Sequence, residues 1–380
     1  LKNKKLASSI LVILLLFFKD RNIYAENELQ ITAKSAIAID FNSGRVLYKY
    51  NPKVKMPMAS TTKIMTAILA IENSNLEDYV AVGINPMLVG GSSIGLKPGE
   101  KIRMEDLLYG LMLESGNDAA IAIAEHISGS VGNFVKLMNE KAFEIGAYDT
   151  HFVNPHGLDI GIDNHYTTAY DLSLIAQYAL KNQKFKNIVS TKYKTIPSGN
   201  NSFGRQLKNH NKLLWLYDGV YGVKTGYTKK SGRCLVTASE RNGFSVIVVT
   251  LNCPDDWNDT INLLNYIYDN YQLKKVINKN TVLKNIKVSN GIPNMIGLAS
   301  KQDLILPIKK DEYVKTTILS PNYVEAPVEE NEVLGELLIE FNNGNLRFPL
   351  VAKQFSKKEN FVEKINSLLY NLKLKYQLTW

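Results

Sequence analysis

An alcohol attacks a carbonyl poorly unless a neighbouring base takes its proton, and Ser60-Thr-Thr-Lys63 sets an amine three residues after a hydroxyl. On a helix those two positions share a face, so Lys63 is a candidate general base for a Ser60 nucleophile. If Ser60 opens that helix, its own backbone N–H lies at the positive end of the macrodipole, where a developing oxyanion is stabilised. A serine and a lysine at this spacing are by themselves a common coincidence, equally well read as a helix cap and a solvated side chain. Two further groups sharpen the signal. Ser115-Gly116-Asn117 falls between two expected helices, where glycine permits a tight turn that pushes a hydroxyl and a carboxamide into a cleft. Lys224-Thr225-Gly226 lies inside an expected strand, where a charge and a glycine both run against β preference. Local conflict of this kind is expected at functional positions. The glycine lets a substrate backbone lie close to the strand, and the lysine brings positive charge there, suited to an anionic group on that substrate. The three groups in this order, on helix, loop and strand, form a specific signal for acyl transfer.

These residues need elements to hold them. Ser35 to Ile39 and Arg45 to Tyr50 are short β-prone runs around Asp40-Phe-Asn-Ser-Gly44, an expected opening hairpin. Ile64, Ala67, Ile68 and Ile71 recur at helical spacing after Pro57, which predicts a helix from Ser60 to Ile71. Further helices are expected at Met104 to Leu113, Asp118 to Ser128, Val131 to Glu144 and Ala169 to Asn182. Gly222 to Thr228, Arg233 to Glu240 and Phe244 to Asn252 read as a three-strand meander, closed by a helix from Trp257 to about Tyr271. Strands first, helices in the middle and strands last describe an α+β domain, an antiparallel sheet flanked by helices and facing a helical lobe. From about residue 273 the chain turns to short β-prone runs such as Val333 to Phe341 and Leu346 to Val351, a small all-β domain. The tail from Ser356 to Trp380 places Phe361, Ile365, Leu368, Leu369, Leu372 and Tyr376 on one face and lysines elsewhere, a basic amphipathic helix suited to an anionic membrane surface. The expected division is residues 1–25, 26–272, 273–353 and 354–380.

The first of these segments is read as a secretory signal peptide. Lys2, Lys4 and Lys5 precede an uncharged apolar run from Leu6 to Phe18, with Ala25 at the cleavage point, and the run is shorter than the ~20 residues a spanning helix needs. Export leads to an oxidising compartment, yet the 380 residues hold only Cys234 and Cys253, which excludes a disulfide scaffold. A turn at Asn242-Gly243 sets Arg241 opposite Phe244 and makes the two thiols diagonal neighbours in packed strands, not a bridge. The net charge of +9 suits an anionic partner such as membrane lipid or wall polymer without choosing between them, and no feature points to nucleic acid. The five histidines are scattered without metal-ligand spacing, so neither a metal nor a cofactor is expected.

The chain resembles the low-molecular-mass penicillin-binding proteins, specifically the D-alanyl-D-alanine carboxypeptidases. The resemblance rests on the three groups above and extends to Ser115-Gly-Asn-Asp-Ala-Ala120, Thr150-His-Phe-Val-Asn-Pro-His-Gly-Leu-Asp159 and Gly222-Val-Lys-Thr-Gly-Tyr-Thr228. It implies a penicillin-binding/β-lactamase-like catalytic domain and a peptidoglycan stem peptide ending in D-Ala-D-Ala as substrate, with β-lactams as inhibitors. It also implies an enzyme working outside the cell membrane. By it, Ser60 attacks the carbonyl between the two D-alanines, Lys63 takes its proton and Ser115 relays a proton to the leaving amine. Asn117 holds the substrate amide, Lys224 and Thr225 bind the terminal carboxylate, and the N–H groups of Ser60 and Tyr227, set by Gly226, form the oxyanion hole. His156 is expected to stabilise a turn. Some members carry a carboxylate-binding arginine in the helix after the last strand. Here that region reads Asp255-Asp-Trp-Asn-Asp259, which leaves Lys224, Thr225 or Arg233 to hold the carboxylate.

Three other readings share the same groups. A serine β-lactamase deacylates with a glutamate in an E-x-x-L-N loop, and no such pentapeptide occurs between Ser115 and Lys224. A catalytically inactive wall-binding protein would not need all of Ser60, Lys63, Ser115, Asn117, Lys224 and Thr225. Transpeptidation or endopeptidase action would pass through the same acyl-enzyme.

Overall fold

The computed structural model describes residues 29–198 and 201–376; the expected signal segment and the last residues of the tail lie outside them. The opening hairpin forms as β1 (Ser35–Asp40) and β2 (Val46–Tyr50). A single 3₁₀ turn, Ala59–Thr62, leads into α1 (Lys63–Asn73), so Ser60 precedes the α-helix expected to begin with it. The helical lobe follows as α2 (Met104–Leu113), α3 (Asn117–Ser128), α4 (Val131–Ile145) and α5 (Ala169–Leu180). Left-handed Gly129 and Gly146 stop α3 and α4, where a side chain would resist the positive φ. Then come α6 (Gln183–Ser190), the hairpin β3 (Tyr193–Ser198) and β4 (Asn201–Lys208), and the one-turn helix α7 (Leu213–Leu216). None of these four was expected. The meander is β5 (Val220–Thr228), β6 (Gly232–Arg241) and β7 (Phe244–Leu251), closed by α8 (Asp256–Asn270).

These strands make one sheet in the order β2-β1-β7-β6-β5, every neighbour antiparallel. The register is the one the Asn242-Gly243 turn demands, with Arg241 opposite Phe244. Cys234 and Cys253 are both buried and free. β7 is buried along its whole length because α5 and α8 both pack on it, and β5 is one of the two edge strands, β2 being the other. A nucleophile presented beside β5 therefore meets a strand with an unpaired side, as a substrate backbone requires.

From Tyr271 onward a second hydrophobic cluster forms, centred on Ile286, Leu298, Leu306, Ile339 and Leu350. Its main sheet runs in the order Lys315–Leu319, Val333–Phe341, Gly344–Ala352, Met295–Ala299, Val282–Ser289, Tyr323–Glu325. The buried Arg45 guanidinium ties it to the first cluster: it pairs with Glu312, donates to the Pro307 carbonyl and lies 3.6 Å from the centre of the Phe341 ring. The tail helix is α9 (Phe361–Tyr376), later in starting than expected because Lys357–Lys358 first pairs with Gly291–Ile292. Among the described residues no helix is long and apolar enough to cross a membrane.

Candidate active site

Ser60, Lys63, Ser115, Asn117, Lys224, Thr225, Gly226 and Tyr227 come from five elements, and the fold brings them to one place. Ser60, Ser115, Thr225, Gly226 and Tyr227 line a cleft of about 790 Å³. Lys63 is fully buried beneath it, its Nζ 2.9 Å from Ser60 Oγ, 2.7 Å from Asn117 Oδ1 and 2.7 Å from the His156 carbonyl oxygen. A neutral amine has two N–H donors and one lone pair. The Asn117 and His156 oxygens can only accept, so they take both donors, and the lone pair is left for the hydroxyl proton of Ser60. Burial drives the Lys63 pKa well below its ordinary value, helped by repulsion from Lys224 and opposed by Asp118.

The turn carrying Ser60 is held from behind by the block around His156. Gly157 has φ +89°, and a Cβ there would stand 1.9 Å from the Ala59 carbonyl oxygen, so only glycine allows this approach. Ala59 itself has φ 46°. Thr66 Oγ1 donates to the Pro155 carbonyl at 2.6 Å, and the Asn154 carboxamide oxygen accepts from the His156 and Gly157 amides. His156 Nδ1 accepts from the Leu158 amide at 3.1 Å, the turn-stabilising role expected of it, while its carbonyl reaches Lys63. His165 adds a second brace. Its Nδ1 accepts from the Val153 amide, so Nε2 carries the hydrogen and donates to Thr62 Oγ1 at 2.8 Å. Burial pushes the two imidazoles down, His156 to about 3 and His165 to about 4, so both are neutral at pH 7.

On the facing lobe Ser115 has φ 62°, a left-handed conformation that aims the start of α3 into the cleft. Asn117 Nδ2 donates to the Gly90 carbonyl at 2.7 Å, which leaves one amide hydrogen available. Asp118 pins the neighbouring loop: its carboxylate accepts from Ser93 Oγ at 2.6 Å and from the Ile94 and Leu96 amides at 3.1 Å. On the third side, a Cβ at Gly226 would meet the Ser60 nitrogen at 3.0 Å and the Met58 oxygen at 3.1 Å, so β5 presses its backbone on the Ser60 amide. Lys224 is buried, with Nζ 3.0 Å from the Thr225 carbonyl oxygen, and burial lowers its pKa to about 7 against the pull of Glu114.

Sequence reasoning missed the far wall. Tyr193, Lys208, Trp215 and Leu216 line the cleft from β3, β4 and α7. Lys208 Nζ lies 5.8 Å from the Trp215 ring centre. The segment from Asn209 to Leu216 has too short an apolar run to announce an element, and the proximity of Trp215 to lysines was the one available hint.

The family model for D-alanyl-D-alanine carboxypeptidase matches residues 22–255, and that for the penicillin-binding protein 5 C-terminal domain matches residues 271–358. The chain is 33% identical over 377 residues to the D-alanyl-D-alanine carboxypeptidase DacF of Bacillus subtilis, covering 94% of this chain and 96% of that protein. It is 30% identical to DacA of Escherichia coli K12, covering 88% of this chain and 86% of that protein. Among solved structures, penicillin-binding protein 5 of Haemophilus influenzae superposes with a TM-score of 0.75 at 28% identity, over 86% of this chain and 98% of that one. The chain thus belongs to the D-alanyl-D-alanine carboxypeptidase family, serine peptidases among the penicillin-binding proteins.

Proposed function

We propose that this protein removes the terminal D-alanine from peptidoglycan stem pentapeptides through an acyl-enzyme on Ser60, and that penicillins acylate the same oxygen. The observation that carries the reading is the buried amine of Lys63, 2.9 Å from Ser60 Oγ and 2.7 Å from two carbonyl oxygens; in its neutral form both hydrogens go to those oxygens and the lone pair faces Ser60 Oγ. In acylation the Ser60 proton passes to Lys63, Oγ bonds to the carbonyl carbon, and the oxyanion is held by the Ser60 and Tyr227 amides. Lys63, through the Ser115 hydroxyl, returns the proton to the nitrogen of the departing D-alanine. Water then cleaves the ester. The free hydrogen of the Asn117 amide meets the acyl donor's backbone carbonyl, and Lys224 with Thr225 faces the terminal carboxylate. Intact-mass spectrometry after incubation with benzylpenicillin, and separately with a D-Ala-D-Ala pentapeptide, tests this by reporting the adduct, its site and the free D-alanine together.

The oxyanion hole depends on a missing side chain. Gly226→Ala would force the Ser60 amide and β5 apart, because the new methyl meets backbone atoms that cannot swing away. Losing one donor of such a site costs on the order of a hundredfold or more, so Gly226→Ala is expected to slow acylation by about that factor with the fold kept. A variant acylated at the wild-type rate would remove Gly226 and Tyr227 from the site.

The reading extends to location. We propose residues 1–25 as an export signal, 26–272 as the catalytic domain, 273–353 as the β domain and 354–380 as an anchor on the outer face of the cell membrane. Phe361, Val362, Ile365, Leu368, Leu369 and Tyr370 of α9 are all exposed, which supports a lipid surface over a helix docked on the β domain. Ser356 is buried and donates to the Pro293 carbonyl at 2.7 Å, so a truncation that spares the fold ends at Asn360. Full-length protein should float with anionic liposomes, less so at high salt, and the version ending at Asn360 should not. Equal flotation of both would make the tail part of the fold.

A further inference from the structure

Two backbone amides must point at one spot to hold an oxyanion, and the fold ties both to the same short loop. The Ser60 amide sits on the turn against which Gly157 is packed, where the approach to the Ala59 carbonyl admits no side chain. The Tyr227 amide sits one residue before the end of β5. Successive amides of a strand point to opposite sides. The Thr228 amide donates to Ser231 Oγ at 3.0 Å, on the side of the turn into β6, so the Tyr227 amide points to the unpaired side of β5, where Ser60 lies.

Thr228 is held in turn by Asp159, two residues beyond Gly157. Its Oγ1 donates to Asp159 Oδ2 at 2.8 Å, and Asp159 is buried. A hydroxyl has one hydrogen, and a carboxylate only accepts, so the Thr228 hydrogen is committed to Asp159 and its oxygen is left to accept. That oxygen takes the Ser231 amide at 2.9 Å and lies 2.8 Å from Ser231 Oγ. Ser231 is itself fully buried. One carboxylate thus orders the hydrogen bonds of the turn that ends β5. A second tie between the same loop and turn is of another kind: Lys230 Nζ reaches Asp163 at 2.6 Å, but its side chain is 41% exposed and that of Asp163 fully exposed. Water competes for such a pair, whereas a buried bond fixes geometry.

We propose that Asp159 is a positioning residue of the acyl transfer: by accepting from Thr228 it fixes the end of β5 and keeps the Tyr227 amide aimed at the spot that the Ser60 amide also faces. The inference rests on the proposed reaction and adds to its machinery. Asp159 touches no reacting atom and acts through Thr228. The loop from His156 to Asp159 then sets the base through the His156 carbonyl, the nucleophile's turn through Gly157, and the second oxyanion donor through Asp159.

The test measures kcat and KM for a D-Ala-D-Ala pentapeptide, and the acylation rate with benzylpenicillin, in wild type and in variants at Asp159 and Thr228. Removing an oxyanion donor outright costs about 10²–10³-fold, and misplacing one costs less, so Asp159→Ala and Thr228→Val should each lower kcat and the acylation rate by about ten- to a hundredfold. KM should stay within about threefold, because the contact matters only once the oxyanion forms. Asp159→Asn, which keeps a carbonyl oxygen as acceptor, and Thr228→Ser, which keeps the donor, should recover most of the loss. The double variant Asp159→Ala with Thr228→Val should be no slower than the worse single one, since both remove the same bond. Lys230→Ala, which breaks only the exposed tie, should stay within about twofold of wild type. If Asp159→Ala does not fold, the comparison of Thr228→Val with Thr228→Ser carries the test. Wild-type rates in Asp159→Ala or in Thr228→Val, losses that multiply in the double variant, or a loss confined to KM would each overturn the inference while leaving the carboxypeptidase reading in place. A wild type that is not labelled and releases no D-alanine overturns both.

Discussion

Ser60→Ala is expected to gain no mass on incubation with benzylpenicillin while keeping the wild-type melting transition. The hydroxyl is the only atom the substitution removes, and Lys63 keeps its contacts to Asn117 and the His156 carbonyl, so the buried amine stays held and the turn has no reason to rearrange. Without that oxygen no ester forms, and release of D-alanine from a pentapeptide should fall to background. Thr61 and Thr62 cannot substitute: both hydroxyls are buried and committed to backbone carbonyls, of Met58 and Ala59 respectively. Ser115, Ser92 and Thr225 also bring hydroxyls to the cleft, which makes the location of any residual adduct informative. An adduct of undiminished yield in folded Ser60→Ala protein would refute the assignment, and peptide mapping would then show which oxygen carries it.

How much of this was legible beforehand follows the range of the interactions. Helix α2 begins and ends where its pattern places it, and the register of β6 on β7 follows from two turn residues, because local chemistry sets both. The three catalytic groups could be ordered on helix, loop and strand from the same local cues. Ser60 shows the limit: side-chain spacing predicts a helix there, but a 3₁₀ turn forms at the point where Gly157, from a distant loop, is pressed on Ala59. The contact that defines the base is equally non-local. The His156 carbonyl lies 93 residues from Lys63, and a backbone oxygen leaves no mark in the sequence. His156 could be suspected only through its imidazole, which stabilises a turn and does not touch the amine. The wall formed by β3, β4 and α7 was missed because its short runs carry neither a helical nor a strand period over enough residues. Arg233 is one of three candidates for the carboxylate; its place opposite Tyr227, with Asp256 behind it, depends on strand register and on a helix from another part of the chain.

Lys63→Ala should slow acylation by benzylpenicillin by about 10²–10⁴-fold, the range for loss of a positioned general base. Size and charge are lost together in that variant, so Lys63→Arg is the stricter comparison. Its guanidinium remains protonated throughout and cannot accept the Ser60 proton, so it should be as slow as alanine if Lys63 acts as a base. If Lys63 served only by its positive charge, arginine would restore much of the rate. The pH dependence separates the roles again, and its sign follows from the direction of the shift. Burial holds the Lys63 pKa well below 10.5, with Lys224 adding to the effect, so the reactive neutral amine is populated above that depressed value and lost as pH falls through it. The wild-type acylation rate should therefore decline on the acid side. Lys224→Gln removes the neighbouring charge, raises the Lys63 pKa and should move that decline to higher pH. Acylation rates measured across pH for wild type, Lys63→Arg and Lys224→Gln decide the matter. An acid limb that stays in place when Lys224 is neutralised, or a Lys63→Arg variant within about tenfold of wild type, would mean that the proton goes elsewhere.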